Sequence, residues 1–243
     1  MISSKVIREE YKYFINDEEI LYLRSMLSRV MKIDPNSNQD SKKYTVTSLY
    51  FDTPIKDDLE EKQSGIFYRE KFRLRTYNGD NSIIKFESKK RANTAINKNS
   101  NSLSIDSARN IIDGNFLEFS EHDNQFLRES YIKLKSRGYR PSIIVEYDRE
   151  AYYLPFGNIR ITFDMDLRTY NSNTNILNIK NTSIPIFLDG MQVLEVKYSS
   201  ALPSYIKTIL SKIRGNRNAI SKFVYAQKYI DASPWRDRIF SPF

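Results

Sequence analysis

Residues 66–90 read IFYREKFRLRTYNGDNSIIKFESKK. Polar and apolar side chains alternate from Ile66 to Tyr77, Asn78-Gly79-Asp80-Asn81 has the composition of a turn, and alternation resumes from Ser82 to about Lys90. The stretch therefore predicts a β-hairpin. Successive side chains on a strand point to opposite faces, so Phe72 and Leu74 share one face while Arg73 and Arg75 share the other. On the returning strand Ile84 and Phe86 oppose Lys85, Glu87 and Lys89. One face of the hairpin is apolar and the other is a row of charge.

The same division recurs outward along the chain. Arg8, Glu10 and Lys12 share a face of a first strand (Arg8 to Ile15), and Tyr147 and Arg149 share one between Pro141 and Tyr153. Between Asn158 and Tyr170, Arg160, Thr162 and Asp164 oppose Ile159, Ile161 and Phe163; between Gln192 and Tyr198, Glu195 and Lys197 oppose Leu194 and Val196. Tyr44 to Phe51 and a short segment around Ile184 to Leu188 complete the expected strands. Asn16-Asp17 caps a helix running to about Ile33 with Ile20, Leu23, Leu27 and Val30 at helical spacing. A polar connection, Asn93 to Ser102, leads to a helical insert at about 104–136, built from Ser104 to Ile112 and Asp123 to Ser136. Closing helices occupy about 202–230, within Leu202 to Ile213 and Ala219 to Ile230. The expectation is a single α+β domain over 1–243 with a large antiparallel sheet.

An exposed sheet face ordinarily mixes Ser, Thr and charges without order. Here Arg8, Lys12, Arg73, Arg75, Lys85, Lys89, Arg149, Arg160 and Lys197 outnumber Glu10, Glu87, Asp164 and Glu195. If the sheet closes with that face inward, the result is an antiparallel β-barrel with a charged lumen and helices packed outside. Such a lumen suits phosphates, because the arginine fork contacts phosphate oxygens in pairs and clustered lysines are relieved by a polyanion. Glu87 and Asp164 are expected to orient bases through ion pairs. Glu195 and Glu10 are the metal candidates, since Mg²⁺ or Mn²⁺ commonly takes one or two carboxylates with phosphate oxygens and water.

Composition narrows the chemistry. The chain carries 38 Lys and Arg against 30 Asp and Glu, a net charge of +8, which favours polyanionic partners. It has no cysteine and a single histidine, so thiolate chemistry and multi-histidine metal sites are excluded, and that histidine, His122, lies in the acidic, polar stretch Ser120 to Gln125, where it makes no convincing Ser-His-Asp triad. With a mean hydropathy of −0.57, no apolar run of bilayer length and no apolar signal core, the chain reads as cytoplasmic, without a transmembrane segment of its own.

These motifs resemble a known family. Arg8-x-Glu10-x-Lys12-Tyr13-Phe14, Tyr50-Phe51-Asp52-Thr53, Phe72-Arg73-Leu74-Arg75-Thr76-Tyr77 and Lys85-Phe86-Glu87-x-Lys89 come first. Glu146-Tyr147-Asp148-Arg149-x-Ala151-Tyr152, Arg160-Ile161-Thr162-x-Asp164, Leu194-Glu195-Val196-Lys197 and Ser221-Lys222-Phe223 follow in order. Together they are similar to the catalytic domain of the vacuolar transporter chaperone (VTC) polyphosphate polymerases, in the CYTH or triphosphate tunnel metalloenzyme superfamily.

The resemblance implies a basic tunnel, dependence on a divalent metal (Mn²⁺ or Mg²⁺), and transfer of the ATP γ-phosphate onto a growing inorganic polyphosphate chain. It implies phosphate-binding roles for Lys12, Arg73, Arg75, Lys85, Arg149 and Arg160, with Tyr147 assisting and Lys89 and Lys197 as further ligands. Glu195 matches a metal-associated glutamate, and Ser221 with Lys222 matches a pair at the reacting end. Lys222, Arg73, Arg75 and Arg149 are the expected catalytic groups. Arg8 stands where the superfamily signature has glutamate, which removes a metal ligand and favours the polymerase branch over the triphosphate hydrolases. Eukaryotic members also carry a phosphate-sensing domain and a membrane segment; this chain is expected to have neither, with a membrane protein among the partners the resemblance allows. ATP and polyphosphate are the expected partners, and nucleic acid is not. The competing readings are a tripolyphosphate or nucleoside triphosphate hydrolase of the same fold, and a non-catalytic polyphosphate-binding subunit.

Overall fold

A computed structural model describes residues 9–92, 95–170, 174–180, 182–187, 189–199 and 201–232. Arg8 and Leu188 therefore lie outside the described residues. In chain order the elements are β1 (Glu9–Ile15), α1 (Asp17–Leu27), β2 (Lys32–Ile33), β3 (Lys43–Asp52), α2 (Asp57–Gln63), β4 (Tyr68–Tyr77), β5 (Asp80–Ala92) and β6 (Ala95–Leu103). They continue with α3 (Ile105–Ile112), α4 (Gln125–Ser136), β7 (Arg140–Leu154), β8 (Ile159–Tyr170), β9 (Ser183–Pro185), β10 (Gln192–Tyr198), α5 (Ser204–Leu210) and α6 (Lys222–Ala232). The strands form one sheet in the order β1-β10-β8-β7-β3-β4-β5-β6, with β2 on β7 and β9 on β8. The pairs β1–β10, β10–β8, β2–β7, β3–β4, β4–β5, β5–β6 and β8–β9 are all antiparallel.

The contacts gather into two compact units. The first takes residues up to Thr45, Tyr147–Leu167 and Phe187–Ile220; the second takes Val46–Glu146, Arg168–Ile186 and the chain from Ser221. In the first unit Ile159, Ile161 and Phe163 of β8 and Leu194 and Val196 of β10 bury against Ile20, Leu23 and Leu27 of α1 and Ile206 and Ile209 of α5. A capping box starts α1: the Glu19 N–H donates to Asn16 Oδ1 (2.9 Å) and the Asn16 N–H to Glu19 Oε2 (3.0 Å). The helix stops at Leu27, short of the expected Ile33. Lys32 and Ile33 instead pair with Tyr153 and Tyr152 of β7, and the Asp34 N–H donates to the Ala151 carbonyl. Sheet pairing, together with Pro35 disfavouring helix at Asp34, overrides the helical spacing of Val30, which ends 37% exposed.

In the second unit Phe72 and Leu74 of β4 and Ile84 and Phe86 of β5 lie under α3 and α4, meeting Ala108, Ile111, Leu127 and Leu134. Each fully buried large side chain here contributes about 1.5–3 kcal/mol. The helical insert thus covers the apolar face of the hairpin. The turn is tighter than the expected four residues: Asn78 and Gly79 alone reverse the chain, both at positive φ (55° and 64°), and Asp80 already pairs with Tyr77. Besides β2, two more elements escape the sequence reading. The polar connection expected at Asn93 to Ser102 is largely strand β6, in register with β5 from Ala92↔Ala95 to Ile84↔Leu103. Helix α2 covers Asp57–Gln63, where no element was expected.

Candidate active site

The strand faces opposite the two cores carry two clusters of charge, one in each unit. In the second unit the register sets Tyr50 and Ser48 of β3 beside Arg73 and Arg75 of β4, which in turn face Glu87 and Lys85 of β5. Glu87, only 2% exposed, is the hub. Arg73 reaches it through Nε (2.8 Å) and Nη2 (2.7 Å), Lys98 of β6 through Nζ at 2.5 Å, and Arg75 Nη1 lies 3.6 Å away. Burial alone would raise the Glu87 carboxyl, but Arg73, Arg75 and Lys98 hold it down to about 2. Glu87 thus draws three cations together, Arg73, Arg75 and Lys98.

Tyr50 closes the second cluster on the side of α6. Its hydroxyl accepts from Arg73 Nη1 at 3.2 Å, and its ring lies 5.1 Å from that of Phe223. Burial opposes ionisation of the phenol, yet Arg73, Arg75 and Lys222 bring it down to about 8. Lys222 opens α6 and is 8% exposed, with Ser221 half-buried before it. Arg75 Nε donates to Ser48 Oγ at 3.2 Å. Lys85 stands opposite Arg75, its Nζ 6.0 Å from the Tyr77 ring centre, and Lys89 is exposed on the same face.

In the first unit Glu10 and Lys12 of β1 lie beside Lys197 and Glu195 of β10, which pair with Arg160 and Thr162 of β8. Lys12 Nζ sits 3.4 Å from Glu10 and 3.2 Å from Glu195, and Lys197 Nζ sits 2.6 Å from Glu195 and 3.8 Å from Glu10. Burial pulls the Lys197 ammonium below its ordinary range, against the attraction of Glu195 and Glu10. Arg149 forks onto Asp164 (2.5 and 2.8 Å), lies 3.8 Å from Glu195, and stacks over the buried Tyr147 ring at 5.2 Å. Burial disfavours its charge, but Asp164 and Glu195 hold it firmly ionised. Arg160 is tied to Asp34 (2.5 Å) and the Tyr44 hydroxyl (2.9 Å).

Residues 7–230 match the VTC domain. The chain belongs to the VTC domain family. No curated protein matches it. Among solved structures, this VTC domain is similar to a Hippeastrum protein described as an adenylyl cyclase with a dominant triphosphatase activity. That likeness has TM-score 0.54 and 13% identity, covering 90% of this chain and 94% of that one. It is also similar to a Bacillus halodurans protein described as an adenylate cyclase, with TM-score 0.52 and 14% identity, covering 89% of this chain and 98% of that one. At that identity the likeness shows the fold, which is the triphosphate tunnel fold.

The VTC domain brings Arg73, Arg75, Lys85, Lys89, Ser221 and Lys222 into its second unit, and Glu10, Lys12, Tyr147, Arg149, Arg160, Glu195 and Lys197 into its first. Glu87 and Asp164 each hold arginine in an ion pair. Lys98 was missed because it lies in the stretch read as a polar connection; only the pairing of β6 on β5 reveals it beside Glu87. Among the described residues no three acidic or histidine side chains gather as a metal cage. Lys12 and Lys197 bring Glu10 and Glu195 together, and a pair of carboxylates is the number of protein ligands that Mg²⁺ commonly takes beside substrate oxygens and water. Among the described residues no helix is long and apolar enough to cross a membrane.

Proposed function

We propose that this protein is an ATP-dependent polyphosphate polymerase, working in the cytoplasm, that transfers the γ-phosphate of ATP onto the end of an inorganic polyphosphate chain. The observation that carries the reading is the second cluster: a nearly buried carboxylate, Glu87, spread over Arg73, Arg75 and Lys98, with Lys222 nearby, in a chain of the VTC domain family. Cations preorganised around a shared carboxylate are the equipment that phosphoryl transfer requires, since the transferring group needs positioning and neutralisation more than covalent chemistry.

A terminal oxygen of the acceptor chain attacks the γ-phosphorus in line. The new P–O bond forms as the bond to the β-phosphate bridging oxygen breaks, and ADP leaves. The Arg73 and Arg75 forks bind non-bridging oxygens of the transferring group, and Lys222 holds oxygens at the reacting end. Glu87 fixes the orientation of both arginines, so little reorganisation is needed when charge develops. Lys85 and Lys89 of the second unit bind chain phosphates. Lys12, Arg149, Arg160 and Lys197 do so in the first, with Tyr147 supporting Arg149. Glu195 and Glu10 would hold a divalent cation, manganese or magnesium, which when bound adds charge neutralisation at phosphate oxygens.

The Hippeastrum protein's triphosphatase activity favours one alternative, the same site using water in place of the chain end. Incubation with radiolabelled ATP and manganese, followed by electrophoresis, tests the proposal. Label at the γ-position should enter a nuclease-resistant polymer and label at the α-position should not. Label found only in orthophosphate would overturn the polymerase reading in favour of hydrolysis.

A further inference from the structure

The base-bearing face of β4 does not end at Arg73. Lys71 is the next residue on it, and the register sets Lys71 directly opposite Lys89 of β5, which is itself directly opposite Lys98 of β6. Three lysines thus form one row across three strands. Like charges facing each other on neighbouring strands are destabilising. The adjoining row is balanced, since Arg73 faces Glu87. Lys98 leans out of its row onto Glu87, but Lys71 does not: its Nζ is buried and has no hydrogen-bond partner among the described residues. It lies 4.1 Å from the centre of the Phe223 ring. Asp58 Oδ2 of α2 is likewise buried and unmatched among the described residues. An ammonium held out of water without hydrogen bonds is costly, and a ligand that supplies the missing acceptors relieves that cost.

The surroundings identify the ligand. Phe223 follows Lys222, and its ring contacts Tyr50, which accepts a hydrogen bond from Arg73. We infer that Lys71 is a phosphate-binding residue at the α6 end of the β4 row, holding with Lys89 and Lys98 the phosphate units next to those gripped by Arg73 and Arg75. The inference rests on the polyphosphate reading above and extends its site by one row. In the absence of phosphate, burial brings the Lys71 ammonium down to about 8, against the pull of Asp58, Tyr50 and Asp52 and with repulsion from Lys62. An entering polyanion would raise it again.

Calorimetric titration of the full chain with sodium tripolyphosphate tests this, on wild type, Lys71→Met and Lys71→Arg. Lys71→Met should bind about tenfold more weakly with a melting temperature within a few degrees of wild type, and Lys71→Arg should recover most of the affinity. An ammonium that serves only to neutralise Asp58 and Asp52 predicts the reverse: lost melting temperature and unchanged affinity. Should Lys71→Met fail to fold, the side-chain nitrogen signal of Lys71 in the wild type, identified by its loss in Lys71→Arg, decides. It should shift on adding tripolyphosphate, and a signal that stays in place overturns the inference. Wild type that binds no tripolyphosphate would overturn the polyphosphate reading as well; equal binding by wild type and Lys71→Met overturns this inference alone.

Discussion

Arg149→Ala should destabilise the protein by about 3–5 kcal/mol, the cost of leaving a buried charge without its partner. The Asp164 side chain is fully buried and its two oxygens are taken by the Arg149 fork at 2.5 and 2.8 Å. Removing the guanidinium leaves a carboxylate that must either stay charged in a low-dielectric site or take up a proton. Glu195, 3.8 Å from Arg149, keeps Lys12 and Lys197 and suffers less. Adding Asp164→Asn to Arg149→Ala should therefore recover most of the loss, because the orphaned charge goes with it. Urea unfolding of the two single variants and the double variant measures this coupling. A loss under 1 kcal/mol for Arg149→Ala would mean that water reaches Asp164.

Arg75→Ala and Lys222→Ala should behave in the opposite way, keeping the fold and losing the reaction. Glu87 retains Arg73 and Lys98 when Arg75 is removed, so no buried charge is orphaned. The transferring phosphoryl group has no such reserve. Loss of one preorganised donor at developing charge costs about 10²- to 10³-fold in kcat. Both variants should melt within a few degrees of wild type while ADP release in the presence of polyphosphate falls at least a hundredfold. Full activity in a well-folded Lys222→Ala protein would remove that residue from the reacting end.

Much of this arrangement is legible in the sequence because strand periodicity is strict. Once residues 66–90 are read as a hairpin, Phe72, Leu74, Ile84 and Phe86 must share one face and Arg73, Arg75, Lys85 and Glu87 the other, as they do. The same rule places Glu195 and Lys197 opposite Leu194 and Val196. Where side-chain pattern is silent, the reading fails. The segment containing Lys98 has no apolar alternation, since β6 is held by backbone pairing along β5. With that strand unseen, the row through Lys89 is unseen too, and Lys71 goes unremarked although it lies two residues before Arg73. At Val30 and Ile33 the periodic signal is present but outweighed by pairing on β7. The ion pairs that fix Arg149 and Arg160 depend on Asp164 and Asp34, and the contact between Arg160 and Asp34 joins residues 126 positions apart, beyond the reach of any local pattern.

The central claim is that ATP γ-phosphate is added to a chain rather than released to water. Phosphorus-31 NMR of the purified protein with ATP and manganese follows both fates in one sample. Signal from internal phosphates of a long chain, growing in step with ADP, is the expected result. ADP accompanied only by orthophosphate would contradict it and make the protein a triphosphatase, and ATP left unchanged would contradict catalysis altogether.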